Sequence, residues 1–282
     1  MLYIANFMAS LAYTGFACDP LGGMHTRAHT STSSAGYAAL RDWYCSAAGQ
    51  ILLAQVQNRL DQYVPRLFGY YAVQIGELDP QHDLLASSKI MRRFCMDEQS
   101  RCHLLAHAQA LPFRTDCLDL ILLPHTLEFS ADPHQVLREV DRALVPDGHV
   151  LIIGFNPFGI GRLCGVSARL RGRKDLQWQA QAQYVSAFKV REWLAVLGFD
   201  VLDCHLLGYR PLLRKTFFLK QLHFLEALGP RATPFLGTVY ILLARKRTTV
   251  MTPIRLRWRP GRLSPAKMPN PTAHRCDVSD AG

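Results

Sequence analysis

Two apolar runs of strand length, separated by one segment of helix length, constrain the fold of this chain more than any other feature. The first run covers Leu118–Leu123 and ends at a proline, and the second covers His149–Phe155. Between them, Asp132 is a favourable N-cap, Pro133 suits the first helical position, and apolar residues then recur at helical spacing. Strand, helix and strand at these lengths form a βαβ unit. We therefore predict a parallel sheet with helices on its faces.

Further elements are predicted on both sides of this unit. Apolar residues recur at helical spacing from Tyr37 to a stop at Pro65, and Tyr70–Ile75 is a short strand. The stretch 79–100 has no clear pattern. Beyond the unit, the sequence predicts a helix around 190–197 closed by Gly198, a helix near 217–228, and strands at Phe199–Leu206 and Thr238–Ala244.

Charge and composition divide the 282 residues into three parts. Residues 25–36 are a polar Ser/Thr stretch, so we expect a disordered leader over 1–36 and a folded domain over 37–247. The formal net charge is +10, yet residues 1–226 hold 22 basic and 20 acidic residues, whereas residues 227–276 hold ten basic residues and no acid. We expect a basic, disordered tail over 248–282, able to contact RNA phosphates or an anionic membrane surface, or to remain solvated.

The eight cysteines indicate a reduced, cytoplasmic protein without a bound metal. They are scattered, and no C-x-x-C pair occurs. Cys102, His103 and His107 lie close together in sequence, but a zinc site needs a fourth ligand at suitable spacing, and none is evident. No apolar run approaches the roughly 18 residues that indicate a membrane span.

The segment from Ala110 to Pro157 closely resembles class I S-adenosylmethionine-dependent methyltransferases of the type 11 group. The resemblance rests on three motifs in order, L-P-F at 111–113, D-L-x-x-x-x-H at 119–125 and R-x-L-x-P-x-G-H at 142–149, and it extends over roughly 37–247. It implies a doubly wound, largely parallel Rossmann-like α/β sheet that ends in an antiparallel hairpin. It also implies S-adenosylmethionine as the cofactor.

Carried over residue by residue, the resemblance implies a set of cofactor-binding positions. They are Gly76 and Glu77 after the first strand, His107, Ala108, Leu111 and Pro112 around the adenine, and Leu123 and Pro124 at the end of the fourth strand. The sequence departs from the family in two places. The expected glycine-rich loop is AVQIGELDP, with one glycine, and the acid four residues before L-P-F is a histidine. The carboxylate for the ribose hydroxyls is expected at Asp97 or Glu98.

His125 is the candidate catalytic residue, because it follows the fourth strand at the edge where open α/β sheets bind ligands. A general base is optional in methyl transfer, which depends mainly on alignment. His125 is therefore interpreted as a base, a cofactor contact or a structural residue, with Glu128 able to orient it. Asn156 and Tyr209 are candidate substrate contacts, or alternatively a turn starter and a plain loop residue.

These observations predict methyl transfer from S-adenosylmethionine to an unidentified acceptor. The first alternative is a catalytically inactive methyltransferase-like binding or scaffold protein, and a second is an enzyme that uses another ligand in the same crevice. The motif GIGRLCG at 159–165 is one residue off the dinucleotide fingerprint. It lies late in the chain, where a loop after the fifth strand is the better interpretation.

Overall fold

A computed structural model describes residues 30–98, 103–162, 178–209 and 235–247. The helices are α1 Thr30–Tyr44, α2 Ala47–Tyr63, α3 Thr126–Phe129, α4 Pro133–Ala143, α5 Trp178–Gln181 and α6 Ala187–Val196. The strands are β1 Tyr71–Ile75, β2 Arg92–Asp97, β3 Leu104–Leu105, β4 Leu118–Pro124, β5 Leu144–Phe155, β6 Phe199–Leu207 and β7 Val239–Lys246. All of them lie within the compact unit Met1–Thr248; the second unit, Thr249–Gly282, is outside the described residues.

The strands form one seven-stranded sheet in the order β3-β2-β1-β4-β5-β7-β6. The first five pair in parallel, and β7 runs antiparallel to both β5 and β6. This topology confirms the predicted fold class, including the antiparallel C-terminal part. The strand order reverses between β1 and β4, and ligands of open α/β folds bind at the carboxyl ends of the strands beside such a reversal.

Apolar side chains form a core on each face of the sheet. The core on one face contains α1, α2 and the buried rings of Phe155 and Trp178. The core on the other contains α4 and α6. Residues of β4 and β5 alternate between the two cores, because successive side chains of a strand point to opposite faces. These two strands are therefore buried on both sides, as their continuous apolar sequences indicate.

The helices show which local signals are reliable. Asp132 caps α4, and its carboxylate accepts from the backbone amides of His134 and Gln135. Gly198 follows α6 with a φ of +83°. The single helix predicted from Tyr37 to Pro65 is instead two helices, and the first already begins at Thr30. The break occurs because Ser46 leaves the helical conformation and caps α2 through the amide of Gly49.

Strand β2 was missed in the sequence, and other predicted features fall outside the described residues. The sequence of β2, RRFCMD, is half polar and half buried, so it lacks the apolar run of a central strand. The helix near 217–228, the end of the 159–165 motif, most of the leader and the tail all lie outside the described ranges. Within these ranges, no helix is long and apolar enough to cross a membrane.

Candidate functional site

A cleft lies at the carboxyl ends of β1, β2 and β4, next to the reversal in strand order. Residues at and after the ends of these strands form its floor, and residues of α1 form one wall. The lining residues are Tyr37, Arg41, Ile75, Gly76, Asp97, Glu98, Ala106, His107, Ala108, Gln109, Thr126, Phe129, Ser130 and Ala131. Three of the predicted cofactor-binding residues, Gly76, His107 and Ala108, are therefore brought together in one cleft.

Gly76 occupies a position in the cleft that only glycine fits. Its φ is +101°, and a Cβ atom there would collide with the hydroxyl of Tyr37. The Tyr37 hydroxyl donates to the carbonyl of Pro124 at 3.0 Å, and the Thr126 hydroxyl donates to the carbonyl of Ile75 at 2.5 Å. These bonds tie the exits of β1 and β4 to each other and to α1. The amide of Gly76 itself donates to the carbonyl of Met96 at 2.7 Å.

An ion pair crosses the cleft from α1 to the end of β2. Arg41 Nη2 lies 3.1 Å from Asp97 Oδ2, and Asp97 Oδ1 accepts from the amide of Glu98 at 2.6 Å. Asp97 is thus a buried carboxylate at the end of the second strand. It is one of the two positions at which the carboxylate for the ribose hydroxyls is expected. The Nε atom of Arg41 is buried and has no hydrogen-bond partner within the described ranges.

His107 lies at the outer rim of the cleft and pairs with Glu98. Its Nδ1 is 3.1 Å from Glu98 Oε1, and 66% of its side chain is exposed. Ala108 beside it is buried. His107 therefore lies within reach of a ligand ring held at this rim, and its imidazole has a carboxylate neighbour.

The other predicted cofactor-binding residues do not line the cleft. Leu111 is buried in the core; its amide donates to Glu139 Oε2 and its carbonyl accepts from Arg142 Nη2. Pro112 is exposed and Glu77 half-buried. Leu123 and Pro124 are buried in β4, and the Pro124 carbonyl accepts the Tyr37 bond described above. The Arg142 hydrogen bond holds the pKa of Glu139 below its usual range, so this anchor for Leu111 carries a stable charge.

His125 follows β4 but is completely buried rather than open to the cleft. Its φ is +55°, a left-handed conformation that is uncommon outside glycine. Its Nε2 lies 2.7 Å from the hydroxyl of Tyr44, and its Nδ1 lies 3.5 Å from Glu128 Oε1. Glu128 is 1% exposed, and its Oε1 accepts from the amide of Phe155 at 2.5 Å. A hydroxyl, an imidazole and a carboxylate thus form one buried series directly beside the cleft residue Thr126.

Aromatic rings enclose this polar series. His125 stacks on Phe155 with centroids 3.9 Å apart, and Phe155 lies 4.6 Å from the ring of Trp178. Burial, reinforced by the nearby Glu128 carboxylate, raises the pKa of Tyr44 well above its usual value. The Tyr44 hydroxyl is therefore protonated at neutral pH, and His125 Nε2 can accept from it when the ring proton is on Nδ1.

The two predicted substrate contacts lie elsewhere at the same edge of the sheet. The Asn156 amide donates to the carbonyls of Phe235 and Gly237, and its oxygen accepts from the amide of Phe158. Its polar atoms thus tie the loop after β5 to the segment before β7. Tyr209 is buried beside a different depression, bordered by α2 and the end of β6, and burial raises its pKa.

Three residues of α1 were not identified as site residues from the sequence. Tyr37, Arg41 and Tyr44 are spaced by four and three positions, so they share one helix face. Tyr37 and Arg41 line the cleft, and Tyr44 contacts the buried His125 beside it. The helical spacing of apolar residues in this segment predicts only core packing. The one signal for a site is Arg41, a cation on an otherwise apolar and aromatic helix face.

The sequence predicts no bound metal, although Cys102, His103 and His107 lie close together along the chain. Within the described ranges, no group of three or more His, Cys, Asp or Glu residues could hold a metal ion. His103 Nδ1 accepts from the amide of Cys95, and His107 pairs with Glu98.

Comparisons with known proteins agree with the fold and with the central segment. Residues 68–152 match the methyltransferase domain family of type 11. The uncharacterized protein YafS of Escherichia coli K12 is 26% identical over 204 residues, which cover 72% of this chain and 80% of that protein. The uncharacterized protein Rv2003c of Mycobacterium tuberculosis is 31% identical over 193 residues, which cover 63% of each chain.

A solved structure shares the architecture over most of the chain. It is a complex between the Haloferax volcanii Trm112 methyltransferase activator and a methyltransferase. The match has a TM-score of 0.50 at 16% sequence identity and covers 78% of this chain and 98% of that one. The match over residues 68–152 agrees with the resemblance found in the sequence, and the solved structure shares the fold: the central segment of this chain matches a type 11 methyltransferase domain within a methyltransferase-like sheet.

Proposed function

We propose that this protein transfers a methyl group from S-adenosylmethionine to an acceptor molecule. The observation that carries the proposal is the cleft at the carboxyl ends of β1, β2 and β4, with Gly76 and Asp97 on its floor. Its place beside the reversal in strand order is the general ligand position of such folds. The family match over residues 68–152 supports this chemistry in particular.

The cleft residues fit the chemical groups of this cofactor. Asp97 and Glu98 offer carboxylate oxygens to ribose hydroxyls. The buried Nε of Arg41 lacks a protein partner within the described ranges and suits an anionic group such as the methionine carboxylate. Gly76 contributes backbone to the cleft wall, since a Cβ atom there would meet the Tyr37 hydroxyl. When bound, S-adenosylmethionine supplies an electrophilic methyl group.

The residues of this chain would act mainly by alignment and by exclusion of water. Helix α1 covers the cleft through Tyr37 and Arg41, so a bound cofactor would be shielded from solvent. Tyr44, His125 and Glu128 are buried next to the cleft and do not line it, so they would support its wall through their mutual contacts rather than meet an acceptor.

The alternative, an inactive binding or scaffold protein, is favoured by one observation. The Gly76 amide is already bonded to Met96, and the loop has one glycine where the family has several. A protein of this kind would lack affinity for S-adenosylmethionine. The two functions are therefore separated by cofactor binding.

The proposal is tested with Asp97→Asn and the matched control Asp83→Asn. Asp83 is an exposed carboxylate paired with Arg93, outside the cleft. We expect Asp97→Asn to weaken S-adenosylhomocysteine binding about tenfold or more in a calorimetric titration, because a charge-assisted hydrogen bond is lost. The control should bind as the wild type does. Equal affinity of all three proteins would argue against this cleft as the cofactor site.

A further inference from the structure

We propose that the edge of the sheet opposite the cleft docks on a membrane surface that carries anionic lipids. This inference goes beyond the proposed methyl transfer and does not depend on it. The docking surface lies where β1 and β2 begin, and we call it the amino-edge surface. It consists of three exposed apolar and three exposed basic residues, Phe68, Tyr70, Met91, Arg66, Lys89 and Arg92.

The apolar side chains of this surface are largely exposed and lie together. Phe68 is 71% exposed, Tyr70 is 79% exposed and Met91 is 93% exposed. Tyr71 and Arg92 are partners in the parallel pairing of β1 with β2, so Tyr70 and Met91, which directly precede them, lie next to each other. Large apolar side chains that are exposed as a group, rather than singly, mark an interaction site.

Basic side chains lie among these apolar residues. Lys89 Nζ is 5.5 Å from the centre of the Phe68 ring. Arg92 is the first residue of β2 and follows Met91, and Arg66 precedes Phe68 by two positions. Arg66, Lys89 and Arg92 form no ion pair within the described ranges. Their charges are therefore available to a partner.

These cations outnumber the carboxylates that contact this edge. Asp119 Oδ2 accepts from the backbone amides of Tyr70 and Tyr71 at 2.8 and 3.0 Å. Asp83 lies 3.4 Å from Arg93, whose charge it offsets. The amino-edge surface therefore keeps a positive charge, which complements an anionic partner.

The chain also leaves the described domain at this edge of the sheet. Strand β7 runs antiparallel to β5 and ends at Lys246, whose ammonium group donates to the carbonyl of Leu144 at the start of β5. Residues 248–282, which follow, contain six basic and two acidic residues. A membrane that attracts the amino-edge surface would thus also attract the segment that begins beside it.

An anionic bilayer fits this combination of side chains better than a nucleic acid does. Aromatic and other apolar side chains enter the headgroup region of a bilayer, while Lys and Arg beside them attract anionic lipids. RNA would pair with the cations and stack on the rings. The most exposed of the three apolar side chains is Met91, which has no ring to stack on a base.

Docking at this edge is compatible with an accessible cleft. The cleft lies at the carboxyl ends of the same strands, so it is one strand length, roughly 15 Å, from the amino-edge surface. A protein docked in this way would keep its cleft open to the water phase and to soluble ligands.

The test measures binding of the full chain to vesicles by co-sedimentation. One set of vesicles contains phosphatidylcholine and phosphatidylglycerol, and the other contains phosphatidylcholine alone. A generic RNA is the comparison ligand. We expect the wild type to bind the mixed vesicles, to bind the neutral vesicles at least tenfold more weakly, and to lose affinity for the mixed vesicles as salt rises.

The double variant Tyr70→Ser with Met91→Ser is matched by Phe188→Ser with Val196→Ser. Phe188 and Val196 are 76% and 83% exposed on α6, which packs beside β6 at the other end of the sheet. We expect the first variant to weaken binding to mixed vesicles about tenfold, because less apolar surface leaves water. The second should bind as the wild type does. Circular dichroism checks that both fold.

A second pair of variants tests the charges. Lys89→Gln with Arg92→Gln should weaken binding to mixed vesicles tenfold or more, at about fivefold for each cation near an anionic surface. The control is Lys189→Gln with Arg191→Gln, which removes two exposed cations of α6 and should have a much smaller effect. If the serine variant of the amino-edge surface fails to fold, this pair decides, and equal losses in both of its members would overturn the proposal.

Three other results would also overturn it. The first is no binding of the wild type to the mixed vesicles. The second is equal binding by the wild type and by a folded Tyr70→Ser with Met91→Ser variant, since the apolar residues would then have no part in docking. The third is loss of RNA binding in both amino-edge variants with vesicle binding unchanged, which would assign the surface to nucleic acid.

Discussion

At the scale of single residues, His125 combines a strained backbone with complete burial. Its left-handed conformation is held by a hydrogen bond from its amide to the carbonyl of Ile153, and its ring lies between Tyr44 and Phe155. Strained residues that persist in this way cluster at functional sites. Its burial means that His125→Ala would lose packing as well as chemistry, so the hydroxyls around it are better probes.

Removal of the Tyr44 hydroxyl and removal of the Tyr184 hydroxyl should differ in their effect on the free energy of unfolding. Tyr44→Phe should lower the free energy of unfolding by about 1–3 kcal/mol, because it leaves His125 Nε2 buried without a partner. Tyr184→Phe should cause no loss, since its hydroxyl has no partner among the described residues. Urea unfolding followed by circular dichroism measures both. Equal destabilisation by the two variants would show that the Tyr44–His125 bond contributes nothing specific.

At the scale of elements, prediction succeeded where the signal is local and failed where it is spatial. The apolar runs of β4 and β5 and the Asp132–Pro133 cap are local, and the structure has them as predicted. Strand β2 was missed because its side chains are only half-buried. That α1 lies over the cleft could not be read from the sequence, since its contacts join residues 56 to 87 positions apart.

The close approach of α1 to β1 gives a test at the scale of elements. Gly76→Ala should destabilise the protein more than Gly198→Ala and should also weaken S-adenosylhomocysteine binding. Both glycines have a positive φ, but a Cβ at Gly76 meets the Tyr37 hydroxyl, whereas nothing lies within 4 Å of one at Gly198. Gly198→Ala therefore reports backbone strain alone, about 1–2 kcal/mol.

Thermal unfolding and a calorimetric titration of both glycine variants provide the measurement. If Gly76→Ala matches Gly198→Ala in melting temperature and binds ligand as the wild type does, the packing of Tyr37 over Gly76 is not part of the cofactor site.

At the scale of the whole molecule, the charge distribution remains the feature that the described domain does not explain. The segment 227–276 carries ten basic residues and no acid. At the end of β7, Lys246 pairs with Asp116 and Asp141, and Arg247 pairs with Asp200, so these two cations are neutralised on the domain. Hydrogen bonding and charge from Arg247 also lower the pKa of Asp200. Arg245 also lies in β7, and the other seven basic residues of this segment lie outside the described ranges.

We therefore expect removal of residues 248–282 to leave folding and cofactor binding nearly intact while it weakens association with RNA or anionic lipid. Such association should fall steeply with salt, because each neutralised phosphate releases a counterion. The measurement compares the full chain and the shortened chain on a generic RNA and on anionic vesicles at low and moderate salt. Equal binding by both would show that the tail is not an interaction element, and loss of folding would show that it packs on the domain.

The central claim is that the cleft beside Gly76 and Asp97 binds S-adenosylmethionine, and one calorimetric titration of the full chain tests it most directly. We predict saturable binding of both S-adenosylmethionine and S-adenosylhomocysteine, with one site per chain. The melting temperature should rise with ligand concentration, since only the folded state binds. No heat and no thermal shift with either ligand at millimolar concentration would contradict the account and favour a methyltransferase-like scaffold.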